Sequence, residues 1–272
     1  MRLVTMPLLA VLFLACFGAG VPNARAEGDS DTMLSIAAGV GLKDALFAIQ
    51  KAYAKKQPSV ALEFNFAASG FLRKQIEQGA PIDLFLAPGR QHFNALLSAG
   101  YTDSGHSCAL LGNRLVLIVA REKQHAIHGF SDLEAAAASM SIGMPDMVPA
   151  GTYARQALEH LGMWELLEQR MVYGKSVRQV LAYVDSGNID AGMVFASDTA
   201  LLTSAVVAAV APADSHKPIV FSMAGMLKSP HPEALQDFMA FLKGQEAAAI
   251  FARYGFTPLL SGASRAEVAS HP

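Results

Sequence analysis

Two periodicities alternate along the chain from Met33 to Tyr254. Continuous or every-second apolar residues predict buried strands at Met33–Ala38, Val60–Phe66, Ile82–Ala87 and Arg114–Ala120. Between them, apolar residues recur at helical spacing. In Leu42–Lys56 the residues Leu42, Ala45, Leu46, Ile49 and Tyr53 share one face, and Pro58 ends the run. Phe71–Gln78 and Gln91–Ser98 predict helices that stop near Gly79 and Gly100, and Ser131–Ala138 a short capped one. A second set follows, with strands at Met140–Met144, Met171–Tyr173, Ala191–Phe195, Val206–Val210 and Ile219–Leu227. Its helices are Ala150–Leu161, Ser176–Ser186, Asp198–Leu202, Pro232–Leu242 and Gln245–Tyr254, the last two closed by Gly244 and Gly255. Alternation of strand and helix over this length predicts an α/β protein with a mostly parallel sheet, and two such runs predict two lobes. In open α/β sheets, ligands sit where strands end and helices begin.

The first 26 residues do not fit that pattern. Arg2 precedes an apolar run from Leu8 to Phe17, and Ala24-Arg25-Ala26 offers a small-residue cleavage site, so 1–26 reads as a secretory signal peptide. A lipoprotein signal using Cys16 is the rival, on the weaker frame Phe13-Leu14-Ala15-Cys16. The run is too short to span a bilayer, which takes about 20 apolar residues. Cleavage after Ala26 leaves 246 residues of the 272 and a single cysteine, Cys108, so an intrachain disulfide is excluded although the compartment is oxidising. The mean hydropathy of +0.31 thus belongs partly to a removed segment and partly to packed strands. With Arg2 and Arg25 gone, the balance is 19 basic residues against 23 acidic, a net charge of −4, and no basic stripe marks a nucleic-acid surface. The tail 261–272 is polar and expected to be disordered.

Four predicted strand-to-helix junctions are rich in small residues: Ala37-Ala38-Gly39-Val40-Gly41, Ala67-Ala68-Ser69-Gly70, Val148-Pro149-Ala150-Gly151 and Gly174-Lys175-Ser176-Val177. Small residues let backbone N–H groups approach a ligand. The start of a helix, with unpaired amides and partial positive charge, favours an anion. Any one of these is an ordinary tight turn; the set of four describes an anion cradle. Catalytic readings fit less well. Ser69 lacks a G-x-S-x-G frame, and no His or Asp position points to a triad. His125 and His128 lie in a polar loop without a third metal ligand. Gly39-Val40-Gly41, with Glu63 further on, begins like a dinucleotide fingerprint, but Asp44 occupies the third glycine position. Arg73 and Arg178, one turn into their helices, are expected on solvated faces.

At these junctions the chain resembles the periplasmic molybdate-binding proteins of molybdate ABC transporters, over about residues 33–257. The pieces that carry the resemblance are Phe66-Ala67-Ala68-Ser69 followed by Leu72 to Phe85 (LRKQIEQGAPIDLF), then Val148-Pro149-Ala150-Gly151-Thr152-Tyr153-Ala154, Ala213-Asp214-Ser215-His216-Lys217 and Arg253-Tyr254-Gly255-Phe256. The resemblance implies a type II periplasmic binding protein fold, two α/β lobes joined by two crossovers with a ligand cleft between them. The expected lobes are 31–115 with 218–260, and 116–217. It implies a non-enzymatic, monomeric solute-binding protein of the periplasm, without a cofactor. Such a protein captures molybdate or tungstate and delivers it to a membrane permease.

The metal would be held only as its oxoanion, through uncharged donors and without direct protein–metal ligands. Ser69 matches a serine that contacts the anion, and Ala150 and Val177 match backbone N–H donors. Two positions depart from the family. The first loop, Ala38-Gly39-Val40-Gly41-Leu42, is one residue longer and lacks a serine hydroxyl, so Val40 or Gly41 offers N–H alone. Phe195 stands where the family has a tyrosine hydroxyl. Each lost charge-assisted bond costs about 1.5–3 kcal/mol, which leaves a different small anion or organic acid as the alternative ligand. Donors without an acceptor favour a fully deprotonated anion and reject hydrogen phosphate, whose proton would stay unpaired.

Overall fold

The computed structural model describes residues 32–259. The signal peptide expected at 1–26, with Cys16, and the tail 261–272 lie outside the described residues. The chain begins with β1 (Thr32–Gly39), α1 (Lys43–Lys56), β2 (Val60–Ala67), α2 (Ser69–Glu77), β3 (Leu84–Pro88), α3 (Arg90–Ser98) and β4 (Ser107–Gly112). It continues with β5 (Leu115–Val119), α4 (Leu133–Ala136), β6 (Met140–Gly143), α5 (Pro149–His160), α6 (Trp164–Glu168), β7 (Met171–Gly174), α7 (Val177–Asp185), β8 (Ala191–Phe195) and β9 (Val206–Val210). It ends with β10 (Val220–Gly225), α8 (Pro232–Leu242), α9 (Gln245–Arg253) and β11 (Thr257–Pro258).

Two sheets result. The first runs β11-β4-β10-β3-β1-β2 and the second β7-β6-β8-β5-β9. Each, with its helices, is one lobe, and the chain passes between them through Asn113–Arg114 and again between β9 and β10. Leu115, expected in the first lobe, pairs with Phe195 in the second sheet.

The sheets are mixed rather than mostly parallel. β1 pairs in parallel with β2 and β3, and β6 with β7 and β8. β10 is antiparallel to β3 and β4, β11 to β4, and β5 to β8 and β9. A parallel return needs a crossover of a dozen residues or more. β5 has no such crossover within its own sheet: it comes directly from β4 of the other sheet and runs antiparallel to β8 and β9.

The apolar faces predicted from spacing are the ones buried. Leu34, Ile36, Leu42, Leu46 and Ile49 are fully enclosed in the first lobe, and Val180, Val184, Met193 and Val194 in the second. Tyr53 packs edge-on against Phe238, ring centroids 4.9 Å apart, which ties α1 to α8.

The pattern assigns nothing to Ser107–Gly112, Trp164–Glu168 or Thr257–Pro258, which form β4, α6 and β11. These are short and lack a full period of either kind. The helix expected at Ser131–Ala138 shrinks to a 3-10 turn at Phe130–Asp132 and the single turn α4. Asp198–Leu202 is part of a 3-10 segment, Ala196–Leu201. The strand expected from Ile82 begins at Leu84, because the Ile82 and Asp83 amides are spent on Ala80 and Ser35 carbonyls. The helix expected from Phe71 starts at Ser69, two residues earlier, and this shift matters for the site. Among the described residues no helix is long and apolar enough to cross a membrane. Cys108 sits half-buried on β4 as a free thiol.

Candidate anion-binding site

Three helices begin at one cavity between the lobes. Ser69 is the first residue of α2, Ala150 the second of α5 behind Pro149, and Val177 the first of α7. A one-turn 3-10 segment, Val40–Leu42, leads into α1 beside them. First-turn amides have no intrahelical partner, so each of these ends offers N–H donors and partial positive charge. Pro149 supplies none, which leaves Ala150 as the first donor of α5. Ser176 caps α7 by accepting from the Gln179 amide at 3.2 Å and so fixes where that helix starts.

All six residues expected at the site, Val40, Gly41, Ser69, Ala150, Val177 and Phe195, line this cavity. It encloses about 310 Å3 when its open mouth is counted. No charged side chain lines it; the junction residues Gly39, Ala67, Ala68, Val148 and Pro149 share the wall with Pro88 and Phe221, which sequence reasoning missed. Phe195 presents only ring carbon, packed edge-on against Phe221 at 5.5 Å and Tyr153 at 6.2 Å between centroids. Tyr153 does not supply the missing hydroxyl, for it is absent from the lining, and burial pushes its phenol up to about 12.

The Ser69 hydroxyl is the distinctive group. The residue is 1% exposed, and its oxygen has no hydrogen-bond partner among the described residues. A buried hydroxyl left unpaired costs about 1–3 kcal/mol, so the fold holds a donor in readiness for an acceptor. Among the described residues no histidine or carboxylate reaches Ser69, and a nucleophilic serine would need one.

The two lobes touch around the cavity, and glycines make the contact possible. The Gly70 amide donates to the Met147 carbonyl of the other lobe at 3.0 Å. A Cβ on Gly70 would lie 2.8 Å from Met147 Cα. Gly89, with φ of +91°, meets Pro149 across the same gap. A Cβ on Gly41 would stand 3.1 Å from Asp198 Oδ1. A side chain at 41 would therefore press on a buried acid.

Asp198 is fully buried, and burial pushes its carboxyl up to about 7 against the pull of the Arg178 guanidinium. Arg178, expected on a solvated face, instead bonds Asp44 of the first lobe at 2.7 Å and stands 3.6 Å from Asp198. Sequence spacing gave no signal for this group, whose three members come from three separate segments. Arg73 pairs with Glu77 at 2.8 Å along the outside of α2. His125 and His128 are exposed, and among the described residues no cluster of histidine, cysteine or acidic side chains could hold a metal ion.

The comparisons agree with this geometry. Residues 34–257 match the family described as bacterial extracellular solute-binding protein. The chain is 35% identical over 245 residues to the Bacillus subtilis ABC transporter substrate-binding lipoprotein YvgL, covering 90% of this chain and 94% of that one. That name specifies no solute. It is 33% identical over 233 residues to the molybdate-binding protein ModA of Haemophilus influenzae, 82% of this chain and 89% of the other. Among solved structures it superposes on the periplasmic molybdate-binding protein of Azotobacter vinelandii with a TM-score of 0.73 at 23% identity, covering 82% of this chain and 98% of that one. The last likeness carries the two-lobed periplasmic binding protein fold.

Proposed function

The chain belongs to the bacterial extracellular solute-binding protein family, and from that premise we propose that it captures a tetrahedral oxoanion, molybdate and with it tungstate, between its lobes. It is a substrate-binding protein of the ABC transporter type and not an enzyme. The observation that carries the oxoanion reading is the buried, unpartnered hydroxyl of Ser69, set among helix N-termini in a cavity without charge. The molybdate-binding relatives at 33% identity support the choice of anion.

In this reading the anion first meets the amides of one lobe. The second lobe then closes and adds its own. Ser69 donates its hydroxyl, and Val40 or Gly41, Ala150 and Val177 donate backbone N–H. Water is excluded, so each bond to the dianion gains strength in the low-dielectric cavity. Closure is a hinge motion about the two chain crossings, between units near 31–115 with 218–260 and 116–217, the first crossing lying just before Leu115. Delivery to a membrane permease follows, with the protein acting as a monomer. Residues 1–26 direct export to the periplasm and are cleaved after Ala26, with lipidation at Cys16 as the other outcome.

Calorimetry with molybdate, tungstate, sulfate and phosphate tests the reading. Binding of the first two and silence toward phosphate is expected; silence toward both metal oxoanions would overturn it. A second reading, the same fold holding another small anion or organic acid, is favoured by two observations, the glycine at 41 and the phenylalanine at 195. It predicts that a different anion wins that comparison.

A further inference from the structure

The charged group beside the cavity has no part in holding the anion, yet it spans the cleft. Asp44 lies in the first turn of α1 on the first lobe, and Arg178 is the second residue of α7 on the second. Asp198 sits in the turn after β8, also on the second lobe. Arg178 Nη2 donates to Asp44 Oδ2 at 2.7 Å, while its Nε stands 3.6 Å from Asp198 Oδ1, a charge contact rather than a hydrogen bond.

Two features argue that the arrangement serves closure. A cation in the first turn of a helix opposes the macrodipole, so Arg178 does not stabilise α7 by being there. Asp198 is fully buried with neither oxygen hydrogen-bonded, and Gly41 of the opposite lobe packs over it. Opening the lobes would part Arg178 from Asp44 and uncover Asp198 to water. Closing them buries the acid again, which takes a positive charge beside it or a proton on it.

We propose that Arg178 is a positioning residue that locks the lobes over the bound anion, tying Asp44 across the cleft while compensating the buried Asp198 on its own lobe. Arg178 directly follows Val177, so the lock also sets where that residue's amide meets the ligand. None of the three side chains lines the cavity proposed for the anion. Their effect therefore falls on how long the closed form lasts, rather than on which anion it holds.

This inference rests on the oxoanion reading, and release kinetics separate the two. Wild-type protein is loaded with molybdate, and its release into excess tungstate is followed in stopped flow by Trp164 fluorescence, with sulfate tested in parallel. Asp44→Asn should speed release about three- to five-fold, as for a pair at the upper end of partly exposed ion pairs. Asp44→Glu should stay within about two-fold of wild type, because the pair is kept.

In an Arg178→Gln/Asp198→Asn background, which removes both partners on the second lobe together, Asp44→Asn should change nothing further. Equal effects of Asp44→Asn in both backgrounds, or none in the wild type, would overturn the lock. A wild type that ignores molybdate but releases sulfate measurably ends the molybdate reading, and the same variants then decide the lock on sulfate release. A wild type that binds neither anion overturns both.

Discussion

Ser69 and Asp198 are two orphans of one cleft. Both are buried, and neither has a hydrogen-bond partner on its side-chain oxygens. The resemblance ends there. The serine is a neutral donor at a helix N-terminus, lining a cavity without charge. The aspartate is an acceptor when ionised, sealed outside that cavity under Gly41 and set against Arg178. An unpaired donor next to empty, positively polarised space calls for an acceptor from outside. An unpaired acid with an arginine at hand is settled from within, by the guanidinium or by a proton. The same deficit thus marks a ligand contact in one place and an internal strut in the other, and the surroundings decide which.

If closure is what completes the cavity, the harshest way to break the comparison is to prevent the lobes from meeting. Gly70→Ala puts a Cβ into the Met147 backbone and strains the amide bond between the lobes. Overpacking of this kind costs up to about 3 kcal/mol, so molybdate affinity should fall about 100-fold. Alanine suits a helix better than glycine, so the melting temperature of the ligand-free protein should not drop. Calorimetry and thermal unfolding read the two effects separately. A fall in both would mean that Gly70 supports the fold rather than the closed form.

Ser69→Ala sharpens the donor side. Losing a hydrogen bond to a charged ligand costs about 2 kcal/mol, a drop of about 30-fold in affinity. The ligand-free protein should be as stable as the wild type or slightly more so, because a buried unpaired hydroxyl has been removed. Undiminished affinity would take Ser69 out of the site. Phe195→Tyr makes the opposite change, adding a second hydroxyl to the cavity wall. About 1.5 kcal/mol, or about ten-fold tighter binding of molybdate, is expected in calorimetry. An unchanged constant would show that the hydroxyl does not reach the anion.

The donor half of this comparison was legible in the sequence and the charged half was not. Ser69, Ala150 and Val177 sit at junctions where apolar periodicity changes from strand to helix, a local signal that spacing reveals. The family resemblance then added the role of each. Strand direction was misjudged at β5 and β10, because it depends on how the chain crosses between lobes, which no local pattern encodes. Arg178 looked like a solvated residue one turn into a helix. Its partners lie 134 residues away at Asp44 and, beyond β8, at Asp198. Only packing brings those segments together, so the acid that most constrains the cleft carried no mark in the sequence beyond its own letter.

The smallest expected effect is a near-zero slope, and it tests the claim that Asp198 is settled from within. Its carboxyl is pushed up to about 7 by burial, against the pull of Arg178 and with Asp44 pushing the same way as burial. Between about pH 4 and 7 the folded protein therefore holds a proton that the unfolded chain has lost, and stability falls as pH rises through that window. His92 works in the other direction. Burial, helped by the nearby Arg73 charge, lowers its imidazole to about 4, so the unfolded chain holds the extra proton up to about 6.5 and stability rises with pH. The two slopes oppose each other over nearly the same range. Urea unfolding of the ligand-free wild type at pH 4.5, 5.5 and 6.5 should accordingly give almost level stabilities. Asp198→Asn should uncover the histidine and make stability climb with pH, and His92→Gln should uncover the acid and make it decline. If Asp198→Asn ran parallel to the wild type across these three points, the acid would be ionised throughout the range, and Arg178 alone would be carrying its burial.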